Sequence, residues 1–193
     1  MTLFFLGDSL TLGCGDGDGL GWPGRLASAV MASGQDLTWY NLGVRANTTA
    51  KILARWSEEV ERRVLPGQEI GLVFSFGVAD VANDVDFADS LANAERILTG
   101  AAAMGPTLLV GPMPVADQAR TERIAALSDG YGPVCARLGV PYVPVLGALR
   151  DSRAYVDALA ENDTVHPSAK GYATLAELLL KTNAVRDFLG LEP

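Results

Sequence analysis

Histidine is nearly absent from the chain, with one residue in 193, His166. A proton shuttle that works near neutral pH through an imidazole therefore has a single candidate. Cysteine is almost as scarce. Cys14 and Cys135 lie far apart and in no Cys-x-x-Cys pair, which excludes a disulfide framework and a thiolate zinc site and fits a reducing compartment. Both read as inert packing thiols. Basic residues number 15 against 23 acidic ones, for a net charge of −8. A field of that sign repels phosphate backbones and anionic lipid, so nucleic acid is not an expected partner. Long hydrophobic runs are missing too. The longest mostly apolar stretch, about 71–79, is far shorter than the ~20 residues that span a bilayer, and no membrane span is expected. The apolar start, Met1 to Leu6, has no basic residue near it before Arg25. It lacks the charged segment of a secretion signal, which makes the cytoplasm the expected location.

What is present is the material of an ordinary folded domain. An apolar fraction of 49% with 20% charged residues excludes disorder, collagen and coiled coil. No linker, low-complexity tract or fixed-period repeat interrupts the chain, so residues 1–193 are read as one domain. Short apolar runs alternate with longer amphipathic ones, the pattern of βα units wound into a parallel sheet. Strands are expected near 2–6 (TLFFL), 37–42 (LTWYNL), 69–76 (EIGLVFSF), 107–111 (TLLVG) and 140–145 (VPYVPV), with helices near 22–33, 48–64, 86–104, 117–138 and 168–188. In the second helical stretch Ile52, Leu53, Trp56, Val60 and Val64 fall on one face, Thr48 or Thr49 can cap the start, and Pro66-Gly67 stops it. The architecture expected is a three-layer α/β/α sandwich, flavodoxin-like, with five parallel strands. Ligand sites in such sheets form outside the carboxyl ends of the strands. Gly7-Asp8-Ser9, Gly43, Gly77-Val78-Ala79-Asp80 and Gly111-Pro112 all sit there.

Two of these places carry chemistry. The single histidine lies in Asp163-Thr164-Val165-His166-Pro167. An Asp three residues before a His can accept from Nδ1 and leave Nε2 free as a general base. Pro167 biases His166 away from helix and suits the first turn of the helix that follows. The bland alternative is a polar loop with a capping or exposed His. Ser9 follows directly on the first apolar strand, where Gly7 permits a tight turn that presents a hydroxyl, although Asp and Ser at such a place also serve as helix and turn caps.

Taken together, Gly7-Asp8-Ser9-Leu10, Asn41-Leu42-Gly43 and Asp163-Thr164-Val165-His166 resemble the blocks of the GDSL, or SGNH, hydrolase family, and the resemblance covers almost the whole chain. It implies Ser9 as nucleophile and, through its N–H, as oxyanion donor. It implies Gly43 as a second backbone donor, Asp163 as the orienting acid and His166 as the base. The third block departs from the family. Where the family has Gly-x-Asn-Asp, this chain has Gly77-Val78-Ala79-Asp80, so Ala79 stands where an Asn side chain would donate to the oxyanion. Asn83 is a poor stand-in because the chain should be turning into a helix there. Arg45 and Asn47, just after Gly43, are better placed to compensate, although both residue types are common in plain turns. The activity implied is hydrolysis of small or exposed esters or thioesters through an acyl-enzyme, with an impaired oxyanion hole and no cofactor. The substrate is expected to be a small-molecule ester: a short acyl or aryl ester, a lysophospholipid or an acetylated sugar. The rival is a small-ligand binding protein on the same scaffold whose catalysis has decayed.

Other signals are weaker. Gly19-x-Gly21-x-x-Gly24 satisfies a dinucleotide fingerprint on paper, but it begins about a dozen residues past the first strand, where a flexible rim to the site is the better expectation. Asp16-x-Asp18 hints at a calcium loop, yet Leu20 and Ala27 fill the next required positions, so no metal is expected. Trp39, Tyr131 and Tyr142 lie in strand or helix patterns and are expected to pack.

Overall fold

The computed structural model describes residues 1–191. Its sheet has five strands in the order β2-β1-β3-β4-β5, all parallel, with helices against its faces, so the expected three-layer α/β fold is observed. The strands are β1 (Thr2–Gly7), β2 (Thr38–Gly43), β3 (Ile70–Ser75), β4 (Thr107–Val110) and β5 (Tyr142–Val143). Burial on both sides explains the unbroken apolar run of β1, where every residue from Thr2 to Gly7 is buried. Phe5 on that strand packs edge-on against Trp22 at 5.5 Å and against Trp39 at 6.3 Å, and Trp56 meets Phe74 of β3 in the same way. Such aromatic contacts add to the area each ring buries and fix how the helices seat on the sheet.

The sheet aligns three strand ends. Gly7 of β1 is in register with Gly43 of β2 and with Ser75 of β3. The chain leaves β1 for β2 on one side and later returns to add β3 on the other, so the end of β1 is the topological switch point where an open α/β sheet leaves a crevice. Ser9 follows two residues later.

The helices are α1 (Ser9–Leu12), α2 (Gly21–Ala32), α3 (Thr49–Leu53), α4 (Trp56–Glu61), α5 (Val78–Ala82), α6 (Phe87–Met104), α7 (Gln118–Leu138), α8 (Leu146–Arg150), α9 (Arg153–Ala160), α10 (Ala169–Leu180) and α11 (Asn183–Leu189). Three expectations need correction. The stretch 48–64 is two helices, α3 and α4, broken at Ala54-Arg55. The stretch 168–188 is likewise divided at Lys181-Thr182, where Thr182 takes an extended conformation, φ −89° and ψ 121°. The apolar period runs through both breaks, so periodicity could not reveal them. The strand expected at 140–145 shrinks to Tyr142–Val143, because Pro141 and Pro144 on either side have no N–H for the ladder. The short helices α1, α5, α8 and α9 fall where no helix was expected.

Candidate active site

The crossing from β1 to α1 is built around close approaches. A Cβ on Gly7 would collide with the Ser75 carbonyl and the Thr11 hydroxyl, so no other residue fits there. Asp8 caps α1, its Oδ1 accepting from the N–H of Leu10 at 2.9 Å. Ser9 is the first residue of the helix, and among the described residues nothing accepts from its N–H.

His166 Nε2 lies 2.7 Å from Ser9 Oγ, and His166 Nδ1 lies 2.7 Å from Asp163 Oδ2. The loop that carries both residues is tightly tied. Asp163 Oδ1 accepts from the N–H groups of Val165 at 3.0 Å and His166 at 2.7 Å. Between them Thr164 adopts φ 69°, an uncommon conformation for a β-branched residue. Its carbonyl accepts from Ala116 N–H at 2.9 Å, which links the turn to the segment after β4. Burial works against the Asp163 charge, but the backbone and ring N–H of His166 and the N–H of Val165 outweigh it and hold the carboxyl down at about 2. An ionised carboxylate can only accept, so Nδ1 carries the proton and Nε2 is left to accept from Ser9 O–H. That tautomer is the one a general base requires.

The expected oxyanion donors are placed less uniformly. Ala79 lies in α5, buried, with a methyl group and no side-chain donor. Asn83 does not fill in: its Nδ2 donates to the carbonyl of Ala79 at 2.7 Å on its own helix. The N–H of Gly43 donates to Asn41 Oδ1 at 3.0 Å, while Asn41 Nδ2 donates to the carbonyl of Thr11 at 2.9 Å. A Cβ on Gly43 would strike the backbone of Leu12. Gly43 and Asn41 therefore dock α1, which begins at Ser9, against β2. Asn47 is buried, and its Oδ1 accepts from Arg55 Nε at 2.8 Å, so its amide braces the loop. Arg45 is exposed. Ala46 on the same loop has φ 55°, and among the described residues its N–H is unengaged. Nothing in Val44-Arg45-Ala46-Asn47 announces a left-handed turn without glycine, so the sequence gives no sign of this conformation.

Two buried carboxylates underlie the site. Asp80 accepts from Thr49 N–H, from Thr49 Oγ1 at 2.5 Å and from Ser90 Oγ at 2.6 Å, which pins α5 to α3 and α6. Asp8 has fewer donors, with Ala79 N–H at 3.4 Å from its Oδ2 besides Leu10. Burial pushes its carboxyl up to about 6, only partly offset by those two N–H groups. The folded value thus stands above the ~3.9 of an unfolded Asp, so the group favours folding below about pH 4 and that contribution is lost as pH rises through about 6. Asp8→Asn removes the titration. The stability difference, variant minus wild type, should grow in the variant's favour by on the order of 3 kcal/mol between pH 4 and pH 8. Urea unfolding at the two pH values measures it, and a difference that does not move with pH would show that Asp8 does not titrate this way.

The glycine-rich segment between α1 and α2 is tied down rather than flexible. Asp16 accepts from the N–H groups of Asp18 at 3.0 Å and Gly21 at 2.7 Å and pairs with Arg25, which also holds Asp18 at 2.8 Å. Burial opposes the Asp16 charge, yet Arg25 and the two N–H groups keep its carboxyl below the usual range. Tyr172 O–H donates to the carbonyl of Cys14 at 2.7 Å. Gly21 and Gly24 of the paper fingerprint lie in α2, with the whole of α1 between them and the end of β1 in the chain. Both cysteines are buried, and desolvation pushes the Cys135 thiol up to about 11 and raises that of Cys14 against the pull of Arg45. Tyr131 is buried, while Trp39 and Tyr142 are half-buried. No helix among the described residues is long and apolar enough to cross a membrane.

Comparisons with known proteins bear on the family and the fold. The model of the GDSL-like Lipase/Acylhydrolase family matches residues 5–174. Among solved structures the chain is similar to a lipase/acylhydrolase from Enterococcus faecalis, at 26% identity and a TM-score of 0.78, covering 100% of this chain and 98% of that one. It is similar in fold to an acetylxylan esterase from Geobacillus stearothermophilus, at 20% identity and a TM-score of 0.77, covering 99% and 94%. A search of curated protein sequences found no match.

Proposed function

The chain belongs to the GDSL-like lipase/acylhydrolase family and is a carboxylic ester hydrolase, and from that premise we propose that Ser9, His166 and Asp163 form its catalytic triad. The observation that carries this reading is the unbroken chain from Asp163 Oδ2 through the imidazole to Ser9 Oγ, with 2.7 Å at each link. Ser9 Oγ attacks the acyl carbon while His166 Nε2 takes its proton. The imidazolium then protonates the departing alkoxide or thiolate, leaving an acyl group on Ser9. Water, deprotonated by the same nitrogen, releases the acid and restores the hydroxyl. Asp163 stays ionised throughout and holds the ring in its productive tautomer.

The oxyanion hole of this reading is incomplete. Ser9 N–H is its first donor, and the unengaged N–H of Ala46 is better suited as a second than that of Gly43, which would have to be shared with Asn41. Position 79 adds nothing. Ala79→Asn should restore a donor worth about 2.7 to 4 kcal/mol, or roughly 10² to 10³ in kcat. The gain should leave KM little changed, because the donor tightens only as charge builds on the oxygen. Steady-state kinetics on 4-nitrophenyl acetate decide it: a folded variant no faster than wild type means that the hole is complete without position 79.

The substrates proposed are small or exposed esters, from short acyl and aryl esters to thioesters, lysophospholipids and acetylated sugars. Labelling with a fluorophosphonate, followed by peptide mapping and an ester panel from acetyl to long acyl, tests both parts. Covalent label on Ser9 is the expected result. A folded chain that takes no label at Ser9 would overturn the triad reading.

A further inference from the structure

Arg55 interrupts what the apolar period presents as one helix. It sits between α3 and α4 with φ −127° and ψ −27°, and its side chain is 18% exposed. From that break the guanidinium reaches the carboxyl edge of the sheet. Nη2 donates to the carbonyl of Gly7 at 3.1 Å and to that of Leu42 at 2.8 Å. Nε donates to Asn47 Oδ1 at 2.8 Å, and Nη1 pairs with Glu59 at 2.9 Å.

Each acceptor has a bearing on the site. The Gly7 carbonyl belongs to the last residue of β1, immediately before Asp8-Ser9, and it also accepts from Val44 N–H at 3.1 Å. The Leu42 carbonyl lies one residue before the end of β2. Asn47 closes the loop that leaves β2, since its N–H donates to the carbonyl of Val44 at 3.2 Å. The loop enclosed between those anchors contains Ala46 with its left-handed backbone.

We infer that Arg55 is a positioning residue for hydrolysis, a single guanidinium that clamps the ends of β1 and β2 and the far end of loop 44–47. The clamp keeps the Ser9 hydroxyl in fixed relation to the N–H groups that receive the oxyanion. This inference rests on the Ser9 reading above. Bonds from a charged donor are roughly twice as strong as neutral ones. A planar fork is needed to serve carbonyls on two strands and an amide together, whereas a lysine is a point charge on a flexible stem. Misplacement of reacting groups by ~1 Å can cost 10²-fold in rate, even from a residue that never touches substrate. A residue that merely stabilised the fold would lower the melting temperature without separating kcat from KM.

Arg55→Lys and Arg55→Ala, assayed with 4-nitrophenyl acetate and checked for folding by thermal melting, test the clamp. The expected result for a folded Arg55→Lys is a fall in kcat of about 10- to 100-fold with KM close to wild type. Arg55→Ala should fall further, and added ethylguanidine should restore part of its kcat. If Arg55→Ala does not fold, Asn47→Ala, which removes one arm, should show a smaller drop, again in kcat. A folded Arg55→Lys with wild-type kcat, or a loss confined to KM, overturns the inference. Wild-type protein that a fluorophosphonate leaves unlabelled would overturn the Ser9 reading beneath it, and that outcome is seen before any Arg55 variant is made.

Discussion

Ser9→Ala and His166→Ala should each lower kcat by about 10⁶, and the double variant should lose no more than either single one, because the two groups act as one unit. The structure gives reasons to expect that each single variant folds. The cap of α1 is the Asp8 carboxylate bonded to Leu10 N–H, not the Ser9 hydroxyl. The Asp163 turn keeps the backbone N–H of residue 166 and that of Val165 when the imidazole is removed. Melting temperatures near the wild-type value would then assign the loss to chemistry. Steady-state rates on an activated ester for the two single variants and the double variant measure the coupling. Losses that multiply in the double variant would mean that Ser9 and His166 do not work on the same proton. The rate left in these variants comes from the oxyanion hole and binding, so a low remainder is expected here, where position 79 contributes no donor.

The parts of the site that sequence made legible are those whose geometry is local. Asp163 and His166 are three residues apart, and one turn joins them. Ser9 stands two residues past a buried strand whose apolar run is unmistakable, and Ala79 is conspicuous because its neighbours Gly77 and Asp80 fit the family block. What stayed hidden depends on contacts between distant segments. Arg55 falls within a regular apolar period, and nothing near it in sequence shows that its partners are Gly7, Leu42 and Asn47. The bond from the Gly43 N–H to Asn41 is itself local, but the Asn41 amide is held in place for it by the distant carbonyl of Thr11. The burial of Asp8 is equally non-local, since it is produced by the packing of α5 over the end of β1. A short parallel strand such as β5 suffers a different ambiguity, because an apolar run with two prolines does not reveal how much of it pairs.

Asp163→Asn should keep the fold and cut kcat by about 10⁴, the scale at which an orienting acid that no longer selects the imidazole tautomer shows itself. The new amide can still accept from the N–H groups of Val165 and His166 through its oxygen, so the turn that places the ring has no reason to open. Its NH₂ then occupies the place of Oδ2, 2.7 Å from Nδ1. A donor there forces Nδ1 to accept and moves the ring proton to Nε2, where it points at Ser9 Oγ and blocks removal of the hydroxyl proton. The loss should therefore lie in kcat and appear equally in the rate of fluorophosphonate labelling. The stability cost should be small, since the Asp163 side chain is 51% exposed and pairs that water reaches contribute little. A loss below tenfold would point to another acid. Glu161 is engaged by Ser168 at 2.9 Å and Lys170 at 3.2 Å, and the nearest other aspartates in sequence, Asp151 and Asp157, are exposed and lie 3.7 Å from Arg150 and 3.5 Å from Arg153. Either would have to leave its arginine and displace the Asp163 loop to reach Nδ1, so a measured loss near 10⁴ would tie the tautomer of His166 to Asp163 alone.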